Sequence, residues 1–208
     1  MIRCQDFVDW LAGLGVEFFA GVPDSLLKPV CFYLADHLGD QHVVAANEGG
    51  AVALACGHHL ATGKVPLVYL QNSGQGNTIN PLLSLADGEV YSIPLLLLIG
   101  WRGEPGIDDE PQHVKQGKVT VSLLEAMDIP YRVLAREPEE ARRCMDELLA
   151  IAASEKRPVA LLVRKDTFEP YKAVGQPTSN FPMTREQAIE TIVGALGKTD
   201  AIVSTTGH

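Results

Sequence analysis

Glu48 is the residue of this sequence best placed for acid chemistry. It closes a short apolar strand, His42 to Asn47, and opens a helix of small residues. Val43-Val44-Ala45-Ala46 stand before it and Gly49-Gly50-Ala51-Val52-Ala53 after it. A carboxylate at a helix start is favoured by the helix dipole, so a plain N-terminal helix acid is one reading. The apolar flanks support another: burial disfavours the ionised form, raises the pKa and lets the acid share a proton with a ring nitrogen.

Three further segments carry side chains of chemical interest. Asn72-Ser73-Gly74-Gln75-Gly76-Asn77 leads from a strand into a helix. Glycines there let the backbone approach a ligand, and the helix start offers N–H donors. The segment lacks the third glycine of the dinucleotide fingerprint and the Gly-Lys-Ser/Thr of a Walker loop. Read alone, a plain turn explains it as well. Gly21-Val22-Pro23-Asp24-Ser25 follows another strand, and Asp24 or Ser25 can simply cap the next helix. The stretch Trp101 to Gly117 holds Asp108-Asp109-Glu110-Pro111-Gln112-His113. One histidine without a partner at ligand spacing makes a poor transition-metal site. Solvated loop acids are the expectation, with His113 free to titrate near neutrality and donate protons. His58-His59 lies mid-helix, where adjacent side chains diverge; one packed and one wet ring are expected.

The elements that must position these residues alternate along the chain. Phe7, Val8, Leu11 and Leu14 form a helical stripe stopped by Gly13 and Gly15. Further helices are expected over Asp24 to Leu38, Gly49 to Thr62, Asn77 to Glu89, Val114 to Met127 and Pro138 to Ser154. Strands are expected over Val16 to Ala20, Val43 to Ala46, Pro66 to Leu70, Pro94 to Ile99, Tyr131 to Leu134 and Pro158 to Val163. Continuous apolar strands between helices imply an α/β fold, a doubly wound six-stranded parallel sheet flanked by helices. Ligands of such sheets gather at the carboxyl ends of the strands, where the four loaded loops would lie.

After Arg164 the alternation lapses. Residues 1–170 read as one domain, 171–183 as a linker rich in Pro and Gly, and 184–208 as the start of a second α/β domain. Thr184 opens a helix to about Leu196, and Ala201 to Ser204 begins a strand. The sequence stops at Gly207-His208, where a strand-to-helix loop would start, so it reads as the N-terminal part of a longer protein.

Composition narrows the function classes. The 208 residues carry 26 acidic and 17 basic side chains, a net charge of −9, without the clustered basic face of a nucleic-acid binder. Hydrophobic residues make up 46%, too many for a disordered chain. No apolar run is long enough to span a bilayer. Cys4, Cys31, Cys56 and Cys144 form no C-x-x-C pair and read as buried free thiols of a cytoplasmic protein.

Taken in order, Gly-Val-Pro-Asp-Ser, Ala-Asn-Glu-Gly-Gly-Ala, Asn-Ser-Gly-Gln-Gly-Asn and Asp-Glu-Pro-Gln-His-Val-Lys-Gln-Gly resemble the thiamine diphosphate-dependent 2-oxo acid decarboxylases. The likeness is greatest to their phosphonopyruvate branch, with the sulfopyruvate branch close by. It covers residues 1–170 as a pyrimidine-binding domain and 184–208 as the opening of a diphosphate-binding domain. The implied activity is that of a carbon–carbon lyase turning 3-phosphonopyruvate into phosphonoacetaldehyde and carbon dioxide. A sulfopyruvate decarboxylase subunit is an alternative with the same chemistry. Fold alone also leaves open a non-catalytic oligomerisation or ligand-binding module.

The resemblance implies residue roles. Glu48 matches the glutamate that hydrogen-bonds the cofactor's aminopyrimidine ring and switches its tautomer. Asn72, Gly74 and Gln75 match the loop beside that ring. Asp24 matches a proton-transfer position near the substrate, and Ser25 is the candidate for holding the substrate's anionic end. His113 matches the second of a tandem histidine pair whose first member here is Gln112. The family's diphosphate is anchored through Mg2+ held by a Gly-Asp-Gly segment and a later Asn. This sequence has no Gly-Asp-Gly, and Ala86-Asp87-Gly88 is no equivalent. Mg2+ is therefore expected on an absent C-terminal domain. The site is expected to form with the diphosphate-binding domain of a neighbouring subunit in a homo-oligomer. Residues 1–208 alone are expected to bind the cofactor poorly and to turn over nothing.

Overall fold

Six strands hydrogen-bond into one parallel sheet in the computed structural model, which describes residues 1–174 and 182–203. The strands are β1 (Phe19–Gly21), β2 (His42–Val44), β3 (Leu67–Gln71), β4 (Leu96–Gly100), β5 (Tyr131–Val133) and β6 (Val159–Val163), in the order β2-β1-β3-β4-β6-β5. Every pairing is parallel; Gly21 lies beside Tyr69, and Gln71 beside Gly100. The doubly wound fold read from the apolar runs is the fold observed. Every residue of β1, β4 and β6 is buried, whereas the edge strands β2 and β5 are partly open.

Strand alternation divides the core. On one face Leu67, Tyr69, Leu96, Leu98, Val159 and Leu161 pack against α1 (Cys4–Gly13), α2 (Lys28–His37) and α6 (Pro138–Glu155). On the other, Val68, Leu70, Leu97, Ile99, Ala160 and Leu162 meet α3 (Glu48–Thr62) and α5 (Pro111–Ala126). The short helix α4 (Gln75–Pro81) packs against α3. The chain steps outward from β1 to β2, then returns to β3 and β4 on the other side. The connections thus diverge at the carboxyl ends of β1 and β3, the crevice where open sheets bind ligands.

Several element boundaries differ from expectation, each for a local reason. Asp24 accepts the N–H groups of Leu26 and Leu27 in a turn, so α2 starts only at Lys28, with a proline in its first turn. The helix expected from Asn77 begins earlier, as a 3-10 turn over Asn72–Gly74 followed by α4. It ends earlier too, through a wide π turn at Leu82–Ala86 directly after Pro81. Proline has no N–H for the carbonyl four residues back, that of Asn77. Pro111 opens α5 three residues before the expected start and places His113 in its first turn.

The four cysteines are free; Cys4, Cys31 and Cys56 are buried and Cys144 is half-buried. Burial raises the thiols of Cys4 and Cys56 to about 11 and that of Cys31 to about 12. His58 and His59 are both half-buried, rather than one packed and one wet. The His58 ring stacks on Phe18, while His59 Nδ1 lies 2.9 Å from the Lys64 carbonyl. Among the described residues, no helix is long and apolar enough to cross a membrane.

The chain divides into two compact units, 1–174 and 175–208. Tyr171 and Val174, read as linker, belong to the first: the Tyr171 hydroxyl and the Val174 N–H both donate to Asp36 Oδ2, at 3.0 and 2.8 Å. Residues 175–181 of that linker, including Gly175 and Pro177, lie outside the described residues. In the second unit α7 (Arg185–Ala195) opens on a capping box between Thr184 and Gln187. Ala201 to Val203 form no strand, and Ser204 to His208 lie outside the described residues.

Candidate active site

Glu48 is the first residue of α3. Asn47 caps that helix through its side chain, 2.8 Å from the Gly50 N–H. Glu48 Oε2 accepts from Asn77 Nδ2 at 2.7 Å, and Oε1 rests against the α-carbon of Gly74. A Cβ on Gly74 would stand 2.3 Å from Oε1, so only glycine leaves the carboxylate its place. Gly49 makes a similar gap, since its Cβ would lie 2.8 Å from the carbonyl oxygen of Asn77 that Pro81 leaves without a helical donor. The apolar enclosure expected around Glu48 is incomplete: the acid is half-buried, Val44 is 58% exposed and Ala46 is exposed.

Asn72 is fully buried and ties two strand ends together. Its Nδ2 donates to the Arg102 carbonyl (2.8 Å) and to Thr120 Oγ1 (2.9 Å), and its Oδ1 accepts the Arg102 N–H (3.2 Å). With both amide protons spent inside the chain, the side chain holds the loop. Gln75 is 2% exposed; its Nε2 reaches the Thr120 carbonyl at 3.4 Å, and its buried Oε1 has no partner.

Asp24 is 5% exposed and lies over the end of β4, where a Cβ on Gly100 would approach its Oδ2 to 2.0 Å. Burial raises its pKa above the ordinary carboxylate value, against the opposing pull of the Leu27 and Leu26 N–H groups and the Arg102 charge. Its Oδ1 is buried without a partner. The acid is thus more than a helix cap: one oxygen holds the turn, and the other is left over.

Ser25 and His113 belong to one network centred on Arg102. Arg102 NH1 donates to Ser25 Oγ at 2.7 Å. Its Nε and NH2 form a fork on Asp109, at 2.8 and 2.5 Å. Asp109 also accepts the N–H groups of Gly103 and Glu110 and the Nδ1 of His113 at 3.0 Å. The guanidinium, ahead of His113 and the backbone bonds, holds the Asp109 carboxyl well below the usual range. Asp109 is therefore an anchored acid, not a solvated one. As an acceptor it places the His113 proton on Nδ1 and leaves Nε2 as the free ring nitrogen.

Two glycines make that network possible. Gly103, at φ 66°, lies against the His113 carbonyl, and a Cβ on Gly117 would fall 1.6 Å from the Gly103 carbonyl oxygen. Trp101 Nε1 closes the same contact on the Gly117 carbonyl at 2.9 Å. Sequence reasoning missed Arg102, Asp109 and Thr120 as site residues. The one signal for Arg102 was a lone cation just after a strand, in a loop of Glu104, Asp108, Asp109 and Glu110.

The residues present suit the ring end of a thiamine cofactor. A helix-start carboxylate has one oxygen fixed and the other over a glycine, and the next residue after that glycine, Gln75, keeps a buried Oε1 without a partner. Among the described residues no cluster of three or more His, Cys, Asp or Glu could hold a metal ion.

Known proteins resemble this chain. The family described as thiamine pyrophosphate enzyme, N-terminal TPP binding domain, matches residues 4–124. Phosphonopyruvate decarboxylase of Streptomyces viridochromogenes is 33% identical, over the whole of this chain and 55% of its own length. The chain thus spans about half of that relative. Sulfopyruvate decarboxylase subunit alpha of Methanococcus maripaludis is 35% identical over 72% of this chain and 86% of its own. In fold, the chain is similar to benzoylformate decarboxylase from Polynucleobacter necessarius, with a TM-score of 0.59 at 23% identity, covering 86% of this chain and 33% of that one. The chain belongs to the thiamine pyrophosphate enzymes, as a representative of their N-terminal TPP binding domain.

Proposed function

We propose that this chain supplies the pyrimidine-binding half of a thiamine diphosphate-dependent 2-oxo acid decarboxylase, with 3-phosphonopyruvate as substrate and phosphonoacetaldehyde and carbon dioxide as products. The observation that carries the reading is the Glu48 carboxylate, fixed by Asn77 and seated on Gly74 at the start of α3. When bound, the cofactor supplies an electron sink for the electrons released as carbon dioxide leaves. Glu48 holds a proton at the ring nitrogen and so sets the ring's tautomer. Gly74 and Gln75 line the ring, and Asn72 holds their loop on β4 and α5. Asp24, with its unpartnered oxygen, moves a proton beside the substrate, and His113 takes up and returns one through Nε2 while Asp109 holds Nδ1–H.

Mg2+ and the diphosphate are assigned to the diphosphate-binding domain of a neighbouring subunit in a homo-oligomer. The phosphonopyruvate reading draws support from the relative aligned over this whole chain. The second reading, a sulfopyruvate decarboxylase subunit, draws support from the separate alpha subunits, of which this chain covers 86% in one case. The test is carbon dioxide release by the complete enzyme with thiamine diphosphate and Mg2+. Release from 3-phosphonopyruvate, faster than from sulfopyruvate or pyruvate, is the expected result. Release from none of them contradicts the reading and favours a non-catalytic module.

A further inference from the structure

A charged cavity of about 430 Å³ that the proposed chemistry leaves unused is walled by Ser25, Leu26, Arg102, Ile107, Arg136 and Lys165. We infer that this cavity is the subsite for a tetrahedral oxyanion on C3 of the substrate, with Arg102 as its specificity-determining residue. The inference rests on the 2-oxo acid reading and extends it to the substrate's far end. The volume lies in the range of small-molecule sites.

A guanidinium carries five N–H groups. Asp109 takes one from Nε and one from NH2, and Ser25 takes one from NH1. Two remain. Because Ser25 Oγ accepts from Arg102, its own hydroxyl proton is free to donate. Two N–H groups of Arg102 and the O–H of Ser25, residues that both line the cavity, are thus left to donate, a set that matches three oxygens of a phosphonate or sulfonate better than the two of a planar carboxylate.

The site is also built to stay in place. Asp109 fixes the guanidinium from behind, and Asn72 clamps the Arg102 backbone through its N–H and carbonyl. Two further cations, Arg136 and Lys165, line the same cavity, and Arg136 donates to the Lys165 carbonyl at 2.7 Å. The acids of the cavity do not cancel this arrangement. Asp109 is spent on Arg102, and Glu104 is held by Arg164 at 2.7 Å. Asp108 and Asp166 balance Arg136 and Lys165 in bulk charge. Selection therefore comes from the directed donors of Arg102 and Ser25, which reward an anion of matching shape.

Two measurements test the subsite. In the complete enzyme, the ratio of kcat/KM for 3-phosphonopyruvate to that for pyruvate is expected to fall about 100-fold in Arg102→Gln. Arg102→Lys is expected to restore part of it. An unchanged ratio in both variants overturns the inference. Where Arg102→Gln fails to fold, the ratio in Arg102→Lys and Ser25→Ala decides instead, by the same criterion. Sulfopyruvate in place of phosphonopyruvate distinguishes the two tetrahedral groups. Separately, 3-phosphonopropionate titrated into this chain is expected to shift the Arg102 side-chain NMR signals, and succinate to do so at least tenfold more weakly. Equal affinity for the two, or no shift with either, overturns the inference. Wild-type enzyme that turns over neither anionic oxo acid contradicts the proposed function instead, and the titration then decides the subsite alone.

Discussion

The carboxylate of Glu48 rests on the bare α-carbon of Gly74, with its other oxygen held by Asn77 at 2.7 Å. The contact joins the start of α3 to the turn after β3, on the two sides of the sheet's switch point. Gly74→Ala puts a methyl group where Oε1 now lies. The helix geometry at residue 74 tolerates alanine, so the protein is expected to fold with a stability loss of about 1–3 kcal/mol. The displaced carboxylate is expected to cost the complete enzyme about 100-fold in kcat, because misplacing a reacting group by an ångström has that order of effect. Thermal unfolding and steady-state kinetics of the one variant check both.

Asn72→Ala removes one buried and two part-buried hydrogen bonds, leaving the Arg102 carbonyl without its amide donor. The expected loss is about 3 kcal/mol in urea denaturation. A loss below about 1 kcal/mol would show that the Asn72 clamp is not what holds the end of β4.

Asp24, which is buried, and Asp109, which is half-buried, should respond to pH with opposite signs. Burial raises the folded-state pKa of Asp24, so folding favours its protonated form. Its contribution is fully present below the unfolded value, near 3.9, and is lost as pH rises through the raised folded value. Wild-type stability should therefore fall relative to Asp24→Asn over that rise. Arg102 depresses the pKa of Asp109, so its contribution is present above about pH 3.9 and is lost as pH falls toward the folded value. Wild-type stability should approach that of Asp109→Asn on the acid side. Denaturant unfolding of the three proteins between pH 3 and 7 reads both trends.

Gly117→Ala tests the packing that carries His113. Its methyl group would overlap the Gly103 carbonyl, which Gly103's positive φ holds in place. A loss of about 3 kcal/mol or more in thermal unfolding is expected. A smaller loss would mean that the loop after β4 can move away from α5.

The sheet was legible because β3, β4 and β6 are unbroken apolar runs between helical stripes, and burial on both faces demands that pattern. Boundaries were less legible where side chains compete for backbone donors. Asp24 delays α2, and Pro81 turns the end of α4 into a π turn. Glu48 was found through its place between an apolar strand and a helix of small residues. Arg102 was not, because its partner Ser25 lies 77 residues away and no local spacing encodes that contact. Asp109 looked like its acidic neighbours in sequence, and only the fold shows that it holds a guanidinium and a histidine together.

The proton that Glu48 is assigned to the pyrimidine ring can be measured by hydrogen–deuterium exchange at the thiazolium carbon of thiamine diphosphate bound to the complete enzyme. Glu48→Gln keeps the shape of the side chain but removes its acid. Exchange is expected to slow by about 100- to 1,000-fold in that variant while the cofactor remains bound. Exchange at the wild-type rate in Glu48→Gln would contradict the role given to this carboxylate.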